Sequence, residues 1–347
     1  MFKEFNSLFY FMLYMPFYYF FLVRLILRTL ISVSSCNWLF VWAGLEINLL
    51  SFIPIIVCRI NSRELERALK YFLVQALGSS LVLLGSFIYL GWAIRLASLN
   101  LGTCIIFSRI MIKLGIFPFH YWLPHVIGGL GWVSCILLST WQKLGPLFII
   151  RSVVEDVQCW FFFVVGAIGS LIGGLGGLNQ SQIRVLLAYS SVGHLGWIFI
   201  AIIESLELVL QYYVIYRIIN LSIIGFLHFI PTDLVNFRSY GFLPTSCSIY
   251  FCIIFLSLGG LPPFIGFYPK FIVLKRFVGG LFLVVPILIL VLGSLLRIFY
   301  YLNIFINLFI KSYLSGFNVL SFSFSFFLSF IISLSFIITL LGLFVLI

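Results

Sequence analysis

The stretch KLGIFPFHYWLPHV, residues 113–126, indicates what kind of protein this is. It follows an apolar run, begins with a lysine and contains Pro118 and Pro124. A proline inside a helix removes a hydrogen bond and leaves a carbonyl group free. In a bilayer, such a break is tolerated only where it is packed in protein or lines a wet cavity. The stretch therefore predicts a broken membrane helix with an ionisable group beside the break.

The rest of the chain has the composition of a membrane protein. Of its 347 residues, 63% are hydrophobic and 8% are charged, whereas a soluble domain carries roughly 25% charged residues. Unbroken apolar runs of about 20 residues, the length that crosses a hydrocarbon core, recur along the chain. Barrel strands would give short alternating segments instead. We therefore predict an all-α polytopic membrane protein that forms a single membrane domain over residues 1–347.

The apolar runs predict about eleven transmembrane helices. Residues 1–16 are predicted to be an apolar lead-in, and 322–346 the final helix. The predicted spans are 17–34, 36–57, 67–90, 97–117, 131–151, 160–178, 183–203, 206–230, 246–274, 281–308 and 322–346.

A second broken helix is predicted in LGGLPPFIGFYPK, residues 258–270, which contains three prolines. Paired broken helices are typical of transporters built from inverted repeats. We predict a first repeat over 36–151 and a second over 160–308, with two unrelated kinks as the alternative. The glycines of GSLIGGLGGLNQ, residues 169–180, are predicted to allow close helix packing.

Ionisable residues inside the predicted spans carry most of the functional information. They are Glu46, Lys113, Lys143, His194 and Lys270. Burying such a group in hydrocarbon costs about 3 kcal/mol or more, so these groups are usually functional or paired. In general, burial lowers the pKa of a lysine and a nearby carboxylate raises it, whereas arginine keeps its proton. Successive lysines with histidine and water between them therefore suggest a proton relay.

Each of these residues also has a structural interpretation. Glu46, Lys113 and Lys143 could form static ion pairs, Lys270 could snorkel to the interface, and His194 could be a hydrogen-bonded core histidine. His120 and His125 flank the first break, His228 is expected at the interface, and five arginines are expected to snorkel or to bind carbonyl groups and lipid headgroups. These arginines are Arg24, Arg28, Arg109, Arg217 and Arg297.

Several classes of function are excluded. The net charge is +11, but the basic residues are scattered, which argues against a nucleic-acid partner. Their excess in loops on the N-terminal side places the N-terminus inside. No CxxC or Cys/His cluster with zinc spacing occurs, so no metal site is predicted. GxGxxG and Walker sequences are missing as well, so this chain is expected to bind no cofactor.

Six distinctive motifs follow one another along the chain. They are GLEINLLSFIP (44–54), KYFLVQALGSS (70–80), KLGIFPFHYWLPHV (113–126), TWQKLGPL (140–147), GGLNQSQIRVLLAYSSVGHLGW (176–197) and LSLGGLPPFIGFYPK (256–270). In this order they resemble the subunit 2 family of NADH dehydrogenase, the mitochondrial respiratory complex I, whose members are antiporter-like. One departure is QSQIRV, where the family pattern has a lysine and this chain has Val185.

The resemblance implies a site. In the family, a helix glutamate pairs with a lysine on a broken helix and further lysines continue the path; Glu46, Lys113, Lys143 and Lys270 stand at the matching positions. Two histidines also match and would support the water chain. They are His120 and His194.

The resemblance also implies a setting. The chain would be a multi-pass subunit of the mitochondrial inner membrane, with its N-terminus on the matrix side and its C-terminus on the intermembrane side. Its partners would be other membrane-arm subunits, accessory subunits and phospholipids including cardiolipin. NADH, flavin, iron–sulfur clusters and ubiquinone would be used by the whole H⁺-translocating NADH:ubiquinone reductase, with no redox chemistry in this chain.

Three functions are compared. The first is proton translocation coupled to quinone reduction elsewhere in the complex. The second is a stand-alone cation/proton antiporter, which the short length of the chain disfavours. The third is a structural spacer of the membrane arm, which has no reason to bear the cost of buried Glu46 and the lysines.

Overall fold

The computed structural model describes residues 2–35, 37–58, 62–89, 97–153, 159–229, 245–262, 264–277 and 284–315. Within these ranges every regular element is a helix, which confirms the all-α prediction. The helices are α1 (Phe2–Ser34), α2 (Trp38–Val57), α3 (Ser62–Tyr89), α4 (Ala97–Leu114), α5 (Trp122–Ile127), α6 (Trp132–Ile136), α7 (Gln142–Val153), α8 (Cys159–Leu178), α9 (Ile183–Glu204), α10 (Leu206–Phe229), α11 (Thr245–Gly259), α12 (Phe267–Phe277) and α13 (Val284–Ser315), with a π-helical turn (Leu137–Trp141) between α6 and α7.

Eight helical segments among the described residues are long and apolar enough to cross a membrane, which agrees with the predicted polytopic architecture. The count of eleven is not confirmed. The predicted span 97–117 corresponds to α4, which has only 18 residues. The predicted span 246–274 is divided between α11 and α12, of 15 and 11 residues, because the chain breaks between them. The predicted final helix, 322–346, lies outside the described residues.

The N-terminal lead-in predicted over 1–16 is not a separate element within the described residues. Helix α1 continues from Phe2 to Ser34 with Pro16 inside it. A proline removes one hydrogen bond of a helix, and helix can still form on both sides of it. The boundary predicted at this proline therefore does not correspond to a helix end.

Both predicted breaks are present. Helix α4 ends one residue before Gly115, and α11 ends one residue before Gly260. The φ angles of these two glycines are 69° and 78°. Glycine adopts this left-handed conformation without the steric cost that a Cβ atom would bring, which is why it commonly terminates helices. The chain then turns before the next helix begins, so each break places a helix C-terminus inside the protein.

The helices pack into two compact units. The first unit contains α1–α7, in which α3 packs against α2 and α4, and α4 also packs against α7. The second unit contains residues 116–118 and α8–α13, in which α8 packs against α9 and α13. The repeats predicted over 36–151 and 160–308, and their inverted symmetry, stay predictions.

Glycines allow the backbones of α8 and α9 to approach closely. A Cβ atom added at Gly173 would lie 2.5 Å from the backbone nitrogen of Gly193. One added at Gly166 would lie 2.7 Å from the carbonyl oxygen of Gly196. No side chain fits at either position, so small residues set the distance between these helices. The packing role predicted for the α8 glycines is confirmed.

Candidate functional site

The first unit brings one carboxylate and two cations together. Glu46 lies on α2, and its Oε2 atom is buried without a hydrogen-bond partner. Its carboxylate is close enough to Arg109 and Lys113 of α4 to interact electrostatically with both. The predicted neighbourhood of Glu46 and Lys113 is therefore present, and it includes an arginine that was not predicted to take part.

Arg109 and Lys113 lie one turn apart on α4, and their side chains both lie close to Gly78 of α3. A Cβ atom added at Gly78 would lie 3.8 Å from Cγ of Arg109 and 4.0 Å from Cγ of Lys113. The Lys113 Nζ atom donates a hydrogen bond of 3.3 Å to the carbonyl oxygen of Leu45, the residue before Glu46. Lys113 thus reaches α2 next to Glu46, and the stems of both cations pass α3 at Gly78.

The expectation that Arg109 snorkels to the interface is wrong. The side chain is only 1% exposed, and its Nε and Nη2 atoms are buried without hydrogen-bond partners. The stem packs between α3 and α4 instead of extending along the helix to water. A signal was available in the sequence, because residues four apart lie on the same helix face and Arg109 precedes Lys113 by four.

A small cavity in the first unit lies between Lys113 and Lys143. Its walls come from α2, α3, α4, α5, α7 and the π-helical turn before α7, and Lys113 and Lys143 both line it. The space open to the centre of a water molecule is ≈ 10 Å³, about the minimum that holds one water. The polar residues on its walls are Asn48, Tyr71, Gln75, Lys113, Gln142 and Lys143.

Lys143 is the most buried lysine of the cavity, with 2% of its surface exposed. Beside it, the Gln142 side chain donates a hydrogen bond of 3.2 Å to Oδ1 of Asn48, so α7 and α2 are joined by polar groups at this depth. The structure therefore brings Lys143 and Lys113 together, as the relay prediction requires.

The turn before Lys143 is a feature that the sequence interpretation missed. Residues Leu137–Trp141 form a π-helical turn, and α7 begins directly after it. Such turns are rare and often occur at functional sites, because they change the direction in which the following side chains point. The one signal in the sequence is Pro146, which disturbs helical bonding in the preceding turn.

His120 is buried in the turn between α4 and α5, with its ring centroid 4.1 Å from that of Tyr121. It is not among the residues that line the cavity, and His125 is exposed near the end of α5. The structure therefore places His120 at the first break, as predicted, and a role in a water chain stays a prediction.

In the second unit, His194 is buried among tyrosines. Its Nδ1 atom and the Tyr212 hydroxyl form a hydrogen bond of 3.0 Å, and the Tyr216 ring lies 5.0 Å away between centroids. The ring is 4% exposed. This is the geometry of a hydrogen-bonded core histidine, and it leaves the relay role a prediction.

Lys270 does not snorkel. Only 5% of its surface is exposed, and its Nζ atom donates a hydrogen bond to the carbonyl oxygen of Gly259, the last residue of α11. The C-terminus of a helix carries partial negative charge and favours a cation. The second break therefore provides a binding position for the lysine amine, so the interpretation of Lys270 as an interfacial residue is wrong.

Arg297 is a second buried arginine, which was expected to snorkel or to bind carbonyl groups and lipid headgroups. It is 1% exposed, so it does not snorkel, and its Nε atom donates a hydrogen bond of 3.3 Å to the carbonyl oxygen of Gly293, which is a carbonyl contact of the expected kind. Its charge is close enough to Lys270 to interact with it. A Cβ atom added at Gly193 would lie 3.0 Å from Nη1, so this glycine makes room for the guanidinium.

Comparison with known proteins gives one consistent family. The family described as NADH:quinone oxidoreductase/Mrp antiporter, TM, matches residues 35–299. The chain is 39% identical over 288 residues to NADH-ubiquinone oxidoreductase chain 2 of Lumbricus terrestris, covering 82% of this chain and 84% of that one. It is also 39% identical to the Anopheles gambiae protein of the same name over 305 residues, covering 84% and 86% of the two chains.

A solved structure has a similar fold. A chain of respiratory complex I from Thermus thermophilus matches with a TM-score of 0.79 and 22% identity, covering 94% of this chain and 78% of that one. At 22% identity, this match shows that the fold is similar and shows nothing about function.

Proposed function

Because the chain belongs to the NADH:quinone oxidoreductase/Mrp antiporter family, and within it to the NADH-ubiquinone oxidoreductase chain 2 proteins, we propose that it translocates protons. It acts as a membrane-arm subunit of respiratory complex I. The coupling energy comes from quinone reduction elsewhere in the complex, and no electron passes through this chain.

The main support for this proposal is the cavity that Lys113 and Lys143 share. Lys113 and Lys143 come from different helices and line the same water-sized cavity, and a carboxylate stands beside Lys113. A structural spacer gains nothing from burying several ionisable groups at the cost that hydrocarbon imposes. Lysine is also the side chain that can bind and release a proton when its surroundings change.

The first unit supports the following steps. A change of charge at a neighbouring subunit alters the interaction between Glu46 and Lys113. When that interaction weakens, Lys113 releases its proton to a water in the cavity. That water then passes a proton to the neutral amine of Lys143. The hydrogen-bonded pair Asn48 and Gln142 fixes the cavity wall next to Lys143, which keeps the donor and acceptor within reach of one water.

The second unit would continue the path. Lys270 is stabilised as a cation by the C-terminal carbonyl of α11, and Arg297 opposes that charge electrostatically. Because the carbonyl group favours the charged amine and Arg297 disfavours it, the Lys270 amine is suited to binding and releasing a proton. His194 and His120 are proposed as further members of the relay, in keeping with the family positions that they match.

The proposed setting follows the named relatives. We place the chain in the mitochondrial inner membrane, multi-pass, with the N-terminus on the matrix side. Arg63 and Lys70 are exposed near the beginning of α3. They would lie on the N-terminal side of the membrane, and basic residues on that side support the proposed orientation. Proposed partners are the other membrane-arm subunits, accessory subunits and phospholipids including cardiolipin. This chain would bind no metal or cofactor; NADH, flavin, iron–sulfur clusters and ubiquinone serve the whole complex.

The test is a comparison of proton and electron flow. Lys113→Gln is introduced into the chain, and the purified complex is reconstituted in sealed vesicles. Protons moved per NADH oxidised are expected to fall below the wild-type ratio. Lys70→Gln is the control, because Lys70 is exposed and its amine pairs with Glu66, one turn earlier on the same helix. A wild-type ratio in Lys113→Gln would reject the relay.

A further inference from the structure

The buried cluster around Glu46 contains a cation that the proposed relay does not use. Arg109 is fully enclosed on α4, and two of its guanidinium nitrogens have no hydrogen-bond partner. Enclosing an arginine is costly unless its charge is compensated. The carboxylate that interacts with it is Glu46, whose Oε2 atom is equally enclosed and unbonded. The two charges are therefore close enough to compensate each other electrostatically.

The count of charges shows what the arginine changes. With Glu46 ionised and Arg109 charged, the cluster is neutral when Lys113 has no proton, and it carries one excess positive charge when Lys113 is protonated. Arginine does not release its proton in proteins, so only Lys113 can remove the excess. In a medium of low polarity, an uncompensated charge is the less stable state.

The geometry makes Arg109 a competitor of Lys113 for the same carboxylate. Their stems lie on one face of α4, both within 4.0 Å of a Cβ position at Gly78, and both charges interact with Glu46. The two cations also repel each other. In the first unit, the other titratable groups that line the cavity with Lys113 are Tyr71 on α3 and Lys143 on α7, and neither supplies negative charge at neutral pH.

We propose that Arg109 is a positioning residue whose fixed charge compensates Glu46 and leaves the proton on Lys113 as the uncompensated charge of the cluster. The proposal rests on the proposed function and deepens it. Glu46 and Lys113 then need not form a static ion pair, and a small change in outside charge is enough to move the proton.

The test is the pH dependence of proton pumping in the assembled complex. In Arg109→Gln, Glu46 is left with Lys113 alone, so Lys113 holds its proton more firmly. Pumping at pH 7 is expected to fall, and its optimum to move upward by about one pH unit, the scale of one nearby charge. Arg109→Lys returns a cation that can lose its proton, so it should recover part of the pumping at pH 7 and less of it at higher pH. The control is Arg276→Gln, because Arg276 is 63% exposed and pairs with Glu204.

The possible outcomes distinguish failure of the role of Arg109 from failure of the relay. An unchanged profile in Arg109→Gln, or an assembled Arg109→Lys complex that pumps no better than Arg109→Gln, overturns the role of Arg109. If Arg109→Gln does not assemble, Arg109→Lys carries the test alone, since it must assemble and pump at pH 7. A Lys113→Gln complex with normal pumping rejects the relay itself, whereas a defective Lys113→Gln beside a normal Arg109→Gln rejects only this inference.

Discussion

The Nζ atom of Lys270 donates a hydrogen bond to the carbonyl oxygen of Gly259, which is the last residue of α11. The amine therefore sits at the negative end of a helix that stops inside the protein. A continuous helix would have used that carbonyl for its own bonding. The break after Gly259 thus creates the position that holds the lysine.

Replacing Lys270 by methionine should show whether the Lys270 amine takes part in proton transfer or whether its side chain only fills space. Lys270→Met keeps a long apolar stem and removes the charge and the hydrogen-bond donor. We expect the complex to assemble and to pump fewer protons per NADH oxidised in sealed vesicles, because the second unit loses its titratable amine. Lys275→Met is the matched control, since Lys275 is exposed on the same helix. Equal ratios in the two variants would contradict the assignment.

Gly260 is predicted to tolerate no side chain. Its φ is 78°, and an added Cβ would lie 2.6 Å from Nζ of Lys270. Gly260→Ala should lower stability by about 1–3 kcal/mol from backbone strain alone. It should also displace the amine. The measurement is thermal denaturation of the purified complex in detergent, together with the pumping ratio.

Gly225→Ala provides the comparison for Gly260→Ala. Gly225 lies within α10, and an added Cβ meets no atom within 4 Å. Alanine also favours helix relative to glycine, so stability should be unchanged or slightly higher. Equal denaturation temperatures for the two alanine variants would contradict the account of the second break.

The bond between His194 and Tyr212 should be measurable. Tyr212→Phe removes the hydroxyl that meets Nδ1 of His194 at 3.0 Å and leaves the buried nitrogen without this partner. Loss of such a partner costs about 1–3 kcal/mol. We expect a lower denaturation temperature for Tyr212→Phe, while Tyr121→Phe, an exposed position, should denature at the wild-type temperature. No difference between the two would show that the bond contributes nothing to stability.

Asn48 and Gln142 should act as a pair. Their side chains are joined across the cavity wall by a hydrogen bond of 3.2 Å. In a double-mutant cycle with Asn48→Leu and Gln142→Leu, each single change leaves a buried polar group unsatisfied, whereas the double change removes both. The double variant should therefore lose less stability than the two single losses added together, by about 0.5–3 kcal/mol. Strict additivity would contradict the observed contact.

Much of the fold could be predicted because its signals are local. Apolar runs mark the long helices, and the prolines and glycines near Gly115 and Gly260 mark both breaks. The number of spans could not be fixed in the same way, because α4, α11 and α12 are shorter than a full span. Their ends depend on turn geometry, which hydropathy does not report.

The site was only partly predictable for a different reason. Lysines and a glutamate in apolar runs are conspicuous, and the structure places Lys113 and Lys143 on one cavity. Arg109 and Arg297 were expected to snorkel or to bind carbonyl groups and lipid headgroups, because a long side chain can usually reach water. Whether it does depends on the neighbouring helices. Arg297 lies against Gly193, and Arg109 lies against α3 at Gly78. The spacing of four between Arg109 and Lys113 indicates a shared helix face, but it does not show that the neighbouring helix encloses them.

Lys113 and Lys143 are proposed to serve one proton path. The most direct test compares protons moved per NADH oxidised in Lys113→Gln, Lys143→Gln and the double variant, all in assembled complexes in sealed vesicles. Two residues in one path lose the same step, so the account predicts that the double variant loses no more than either single variant. Losses that add, or wild-type ratios in the single variants, would contradict it.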